Sequence, residues 1–167
     1  LNSSLKGSLE ADASILQQDR YAQLRLNMGI SLQPIDAIYF IPSISDKLSL
    51  LSASPIDAKI DVGGNLSTLH LKELSLSVPD KLRFNMEGDL SNIISPKPMK
   101  ARATLHGKLM KGSFVQPFIG DSSSVVIPDN IALNGKIELD GDSLRTKMGM
   151  HIDGGKLFMR GALNISD

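Results

Sequence analysis

The residues most able to do chemistry are three histidines, His70, His106 and His151, and a Gly120-Asp121-Ser122 block. A histidine could ligate a metal or act as a general base near neutral pH. A serine could act as a nucleophile with a histidine and an aspartate beside it. The spacing favours neither. No two histidines share a metal-binding spacing, and each falls on the polar parity of its own segment, as a solvated surface histidine would. Ser122 follows a helix-like stretch rather than a strand, and no Asp-x-x-His pair lies downstream. Among the carboxylates, Asp140 and Asp142 flank Gly141 in a turn, while Asp57 and Asp61 lie on the polar side of their segment. Turn aspartates are favoured for their local hydrogen bonds. No phosphate loop, Walker lysine or calcium-loop spacing is present. The chain is therefore expected to have no catalytic residue, no metal site and no cofactor, and not to be an enzyme.

Composition narrows the classes further. The 167 residues allow one domain with a substantial core. Eighteen basic residues balance eighteen acidic ones, so the electrostatic footprint of a nucleic-acid binder is absent and no such partner is expected. With no cysteine, disulfides, thiolate nucleophiles and thiolate zinc sites are ruled out. The longest apolar runs, such as 37–41, fall far short of the roughly 20 residues a membrane helix needs. No signal peptide is visible. The first residue already lies inside an alternating pattern, so the chain reads as a piece of a longer protein. Aromatic residues make up only 4%, and the apolar content is aliphatic, which suits either a packed core or a surface for acyl chains.

The elements that would position these residues are strands. Apolar residues recur at every second position in 5–15, 22–32, 69–76, 82–90, 101–109, 131–139, 144–152 and 157–165. Leu69, Leu71, Leu74 and Leu76 change phase once, at Lys72-Glu73, which predicts a β-bulge. Turn signals separate the runs: 78–81, 61–65, 95–98, 139–142 and 152–155. The polar parity stays polar throughout, and short connections favour antiparallel neighbours.

Two segments break the alternation. In 33–42, Pro34 suits a first helical turn, followed by Ile35, Ile38, Tyr39 and Ile41. In 111–121, Ser113 is a candidate N-cap, Phe114, Val115, Phe118 and Ile119 follow, and Gly120 ends the turn. Pro117 keeps any helix there short or kinked. Both read as apolar plugs against the dry face. The segment 58–64 resembles 135–141, and 78–85 resembles 127–134. The whole of 1–167 is thus expected to be a single segment of a repetitive β structure, with approximate units 1–109 and 110–167, incomplete at both ends.

A sheet with one apolar face must bury it, and two plugs are too short to cover so many strands. Glycines recur on that face, at Gly7, Gly88, Gly107, Gly135 and Gly161. A glycine there permits a bend, a bulge or the close approach of another group. A curved sheet with a dry concave side and an ordinary barrel or sandwich with local bulges both fit the pattern.

The repeated Leu/Met-x-Gly-x-Leu grammar, the two plugs, and the stretches 74–90 and 125–141 resemble the AsmA/TamB superfamily of Gram-negative envelope proteins. The likeness is greatest to its TamB branch of translocation and assembly module subunits, in the form found in Bacteroides-like bacteria. The resemblance covers nearly the whole chain. It implies an all-β fold: a curved, mostly antiparallel open β-groove, taco-shaped in section, with one or two short helical plugs. It further implies a periplasmic segment of an inner-membrane-anchored envelope protein that guides phospholipid toward the outer membrane. An outer-membrane Omp85-type partner would be engaged through other parts of the full protein. Phospholipid or detergent acyl chains are the expected occupants of the groove. Its expected lining is Leu24, Leu26, Met28, Ile30, Leu82, Phe84, Met86, Leu105, Leu133, Ile137, Leu139, Met148, Met150, Leu157, Met159 and Leu163. Two alternatives stand beside this reading: a scaffold for assembly of outer-membrane β-barrels or autotransporters, and a structural or adhesive β-repeat with a filled core.

Overall fold

The computed structural model describes residues 3–17, 19–36, 55–93, 98–116 and 126–164. They form nine strands: β1 (Ser4–Ala11), β2 (Gln23–Leu32), β3 (Ile56–Asn65), β4 (Thr68–Val78), β5 (Leu82–Ser91), β6 (Lys100–Leu109), β7 (Ile131–Asp140), β8 (Ser143–Ile152) and β9 (Gly155–Asn164). All nine lie in one sheet in sequence order, and every neighbouring pair is antiparallel. Each strand packs chiefly on its sequence neighbours. Among the described residues the sheet does not close, because β1 pairs only with β2 and β9 only with β8. Among the described residues no helix is long and apolar enough to cross a membrane.

The meander follows from its turns. Asp140 pairs with Ser143 across Gly141-Asp142, and Ile152 pairs with Gly155 across Asp153-Gly154. Gly141 and Gly154 take left-handed φ values of 60° and 87°, which glycine adopts without steric cost. Asp80, Asn92 and Asn130 enter the same region at connections, as their short polar side chains tolerate. The Asn65 side chain accepts the backbone N–H groups of Ser67 and Thr68, each at 2.9 Å, and so closes the β3–β4 turn. Backbone bonds carry the ladder past the strand ends, from Ser67 N–H to Arg20 O, Asn92 N–H to Ser67 O, and Gly141 N–H to Met99 O.

The bulge lies where the alternation changes phase. Asp61 pairs with Glu73 and Val62 with Leu71, so Lys72 is the extra residue of β4. On the other side Leu71 pairs with Gly88 and Leu74 with Met86, so Lys72 and Glu73 together oppose Glu87. The insertion keeps Leu71 and Leu74 on the same apolar face. The related stretches 78–85 and 127–134 lead into β5 and β7, whose first residues, Leu82 and Ile131, both pair with Leu109.

Several expectations need correction. The first strand ends at Ala11, and Ala13 and Ile15 belong to a 3-10 turn, Ala13–Gln17. Its start is fixed by Asp12, whose carbonyl accepts Ile15 N–H while its carboxylate accepts Gln23 N–H at 2.8 Å. The stretch 61–65 is not a turn: Gly63 and Gly64 continue β3, a strand the alternation count passed over, and the chain reverses at Leu66-Ser67. Ser113 is not an N-cap. The 3-10 turn Gly112–Phe114 is capped from Lys111 without a side-chain bond, and the distant Asp129 carboxylate accepts Gly112 N–H at 2.7 Å instead. Pro34, Ile35 and Asp36 open a helical turn, pinned to the start of the chain: the buried Asp36 carboxylate accepts both Ser3 N–H and Ser3 Oγ–H. The rest of both expected plugs, including Tyr39, Phe118 and the Gly120-Asp121-Ser122 block, lies outside the described residues, as does Ile165.

Candidate functional site

Directly paired residues of an antiparallel ladder project to the same face, so the register assembles that face from the sequence. Four unbroken rows cross all nine strands. One runs Gly7, Met28, Ile60, Leu74, Met86, Leu105, Gly135, Met148, Met159; the next runs Leu5, Ile30, Ala58, Leu76, Phe84, Gly107, Leu133, Met150, Leu157. On the other side of the first lie Leu9, Leu26, Val62, Leu71, Gly88, Ala103, Ile137, Thr146 and Gly161. Beyond them lie Ala11, Leu24, Gly64, Leu69, Leu90, Ala101, Leu139, Leu144 and Leu163. Thr146 is the one polar side chain in the four rows. A fifth, partial row contains Val78, Leu82 and Leu109. All sixteen residues expected to line a groove therefore sit on one continuous apolar face, Leu82 in the fifth row and the others in the four.

Few side chains of that face are fully buried. Among the described residues only Ala22, Val78 and Leu105 are buried hydrophobic side chains. The apolar side chains of the middle strands are mostly half-buried, while the edges stay open: Leu9 is 68% exposed and Leu163 59%. A packed interior would bury most of its aliphatic residues.

The inward glycines have two distinct local causes. A Cβ on Gly88 would lie 2.3 Å from Arg102 O and 2.9 Å from Ala103 Cα, so the β6 backbone occupies that space. At Gly135 the occupant is a side chain, with Leu105 Cγ 2.9 Å from the Cβ position. Leu105 leans into the notch its partner leaves, and it is the one buried side chain of its row. Gly107 is different again: its nearest neighbours, Leu133 Cβ at 3.5 Å and Phe84 Cδ2 at 3.9 Å, are at ordinary contact distance. Register makes these notches visible; sequence parity alone only marks where they occur.

The opposite face is polar. His70, His106 and His151 all lie on it, as their parity predicts. His70 Nδ1 pairs with Asp89 Oδ1 and His106 Nδ1 with Asn134 Oδ1 at 2.7 Å. The His70 and Asp89 side chains are 55% and 62% exposed, where such pairs are worth little. Lys59 Nζ meets Glu73 Oε2 at 2.6 Å, and Ser75 Oγ donates to Glu73 Oε1 at 2.9 Å. The hydrogen bond with Lys59 holds the Glu73 carboxyl below the usual range and raises Lys59 in turn. The extra residue of the bulge, Lys72, lays the end of its stem near Gly63. No group of three or more metal-ligating side chains occurs among the described residues.

The arrangement can therefore bind apolar matter along one face and present charge to water on the other. The chain matches no family model, no curated protein and no solved structure.

Proposed function

We propose that the apolar face is the floor of a periplasmic, TamB-like groove that guides phospholipid toward the outer membrane, with acyl chains along the rows and headgroups in water. The observation that carries this reading is the continuous four-row aliphatic face, on which Leu105 is the one buried side chain. Each methylene removed from water contributes about 0.8 kcal/mol, so two long acyl chains cross bare water against tens of kcal/mol. A dry trough removes most of that barrier. The rows run from strand to strand, so the path lies across the strands, with successive rows about 6.7 Å apart. Met28, Met86, Met148, Met150 and Met159 line it with adaptable side chains suited to varied chains. Curvature of the sheet and helical plugs over it belong to this proposal. So do the inner-membrane anchor and an Omp85-type partner contacted by other parts of the protein.

Lipid extraction and native mass spectrometry of the purified protein test the proposal. Bound phospholipid or detergent is expected, along with uptake of a fluorescent acyl probe by delipidated protein. Ile137→Glu should leave the protein folded and abolish uptake. A folded wild type that takes up no probe would sink the reading, and loss of folding in Ile137→Glu would favour a filled structural repeat.

One observation favours a second reading, a scaffold for outer-membrane β-barrel or autotransporter assembly. Strand β9 is ten residues long, lacks proline, is exposed along its whole length and has no partner other than β8 among the described residues, so an edge of this kind could template a client strand. Crosslinks from β9 to unfolded barrel clients, with none to lipid, would select it.

A further inference from the structure

On the polar face of the last three strands, Lys136 pairs with Lys147 and Lys147 with Arg160. Three cations thus stand directly opposite one another on adjacent strands. Like charges in that position destabilise a sheet, and the chain places them there although its net charge is zero. In the adjoining row Asn134 pairs with Gly149 and Gly149 with Phe158. Around Gly149 lies an open depression of about 410 Å³, lined among others by Asn134, Lys147, His151, Lys156, Phe158 and Arg160. The Phe158 ring lies over the glycine, its Cε1 3.3 Å from the Cβ position, yet Phe158 is 76% exposed. Acidic neighbours stay at the margin: Glu138 faces Arg145, and Asp153 lies in the β8–β9 turn. None of the four salt bridges among the described residues involves Lys136, Lys147, Lys156 or Arg160.

Lysines on an open edge often serve only to prevent edge-to-edge aggregation. That does not account for this patch. Lys136 and Lys147 lie two and one strands inside the edge, and an exposed phenylalanine on the edge strand itself works against such protection.

We infer that this surface docks on the anionic headgroup layer of a bilayer, the cations over the phosphates and Phe158 at the headgroup–acyl boundary. Charge complementarity supports it, since an anionic surface relieves the repulsion along the Lys136–Lys147–Arg160 row. An exposed aromatic ring among cations is the combination that interfacial binding uses. A second copy of the chain is a poorer occupant. The acidic counterpart on the same face, around Asp61, Glu73 and Glu87, already spends Glu73 on Lys59 and Ser75. The inference concerns the face opposite the proposed groove and does not depend on it.

Co-sedimentation of the whole chain with two kinds of vesicle tests it: phosphatidylcholine alone, and phosphatidylcholine mixed with phosphatidylglycerol. The first reads any adsorption by the apolar face. Tighter, salt-sensitive binding to the mixed vesicles is expected. At about fivefold per cation, Lys147→Gln/Arg160→Gln should weaken it roughly 30-fold. Phe158→Ser should weaken binding without changing its salt dependence. Lys6→Gln/Arg25→Gln, an equal charge change toward the other edge, should leave it unchanged. Equal affinity for both vesicles, or an equal loss in Lys6→Gln/Arg25→Gln, would overturn the inference. So would displacement by inorganic phosphate at low concentration, which marks a soluble-phosphate site. Self-association abolished by Lys147→Gln/Arg160→Gln would identify a second copy as the occupant instead.

Discussion

Leu105 in the middle of the sheet and Leu163 at its edge share a residue type, an alternating context and a face, yet the first is 6% exposed and the second 59%. The difference lies in their neighbours. Leu105 has Met86 on one side and the notch at Gly135 on the other. Leu163 has Leu144 on one side and nothing beyond it among the described residues. In a two-layer fold both would be covered from above, and position within the row would matter little. Burial falls from the middle strands toward both edges of the described sheet, as packing sideways along the rows would produce. β1 and β9 are exposed along their whole lengths.

Truncation tests this contrast most directly. Leu105→Ala is expected to cost about 2–5 kcal/mol in urea unfolding, because the atoms it removes fill the space over Gly135 and neighbouring backbone cannot collapse into it. Leu163→Ala should stay within about 0.5 kcal/mol of wild type, as exposed substitutions do. Equal costs would mean that another layer covers the edge, and the sideways account of burial would fail.

Glycine substitutions sharpen the same contrast within the middle strands. Gly88→Ala must push against the β6 backbone at Arg102 and Ala103 and is expected to destabilise by roughly 1–3 kcal/mol. Gly107→Ala meets only ordinary contacts. It should stabilise by about 0.4–1 kcal/mol by restricting the unfolded chain. Thermal unfolding of the two variants should therefore move in opposite directions. A loss of stability in both would show that the inward glycines serve one common purpose, such as a bend of the whole sheet, rather than separate local ones.

What could be read from the sequence follows the range of the forces involved. Side-chain direction in a strand is local, so the alternation placed all sixteen expected lining residues on one face and located the Lys72 bulge. Hairpins such as Gly141-Asp142 were legible because their backbone demands are local too. Three features were not. Ala13 and Ile15 keep the strand alternation, but Asp12 diverts the chain through bonds to Ile15 and Gln23. The Gly63-Gly64 pair imitates a turn, and only its pairing with Arg25, Leu24, His70 and Leu69 holds it extended. The cap on Gly112 comes from Asp129, seventeen residues away. The basic row was also hidden: Lys136, Lys147 and Arg160 are widely spaced in sequence and meet only once the register of β7, β8 and β9 is known. The signal that could have found them was present in the tight turns Gly141-Asp142 and Asp153-Gly154, which set that register.

The smallest expected effect concerns that long-range cap, where the β6–β7 connection meets the end of the middle strands. Asp129 Oδ1 accepts Gly112 N–H at 2.7 Å, and Lys111 Nζ reaches Oδ2 at 3.3 Å. Both stabilise the charged carboxylate, the backbone bond more than the lysine, and hold its pKa below the usual range. A carboxyl group with a lowered folded-state pKa stabilises the fold at pH values above its unfolded pKa, and that contribution is lost as pH falls through the folded value. Hydrogen-exchange protection of the Gly112 amide should therefore be flat from neutral pH down through the ordinary carboxylate range and fall only on the acid side of it. Asp129→Asn should remove the acid limb, since the amide oxygen still accepts the bond but no longer titrates. Lys111→Gln should raise the midpoint only part of the way toward the ordinary value. If it restores the ordinary value completely, the lysine and not the backbone bond holds the carboxylate. The cap would then be an exposed ion pair weakened by salt, unlike the hydrogen-bonded and sideways-packed contacts of the strands it borders.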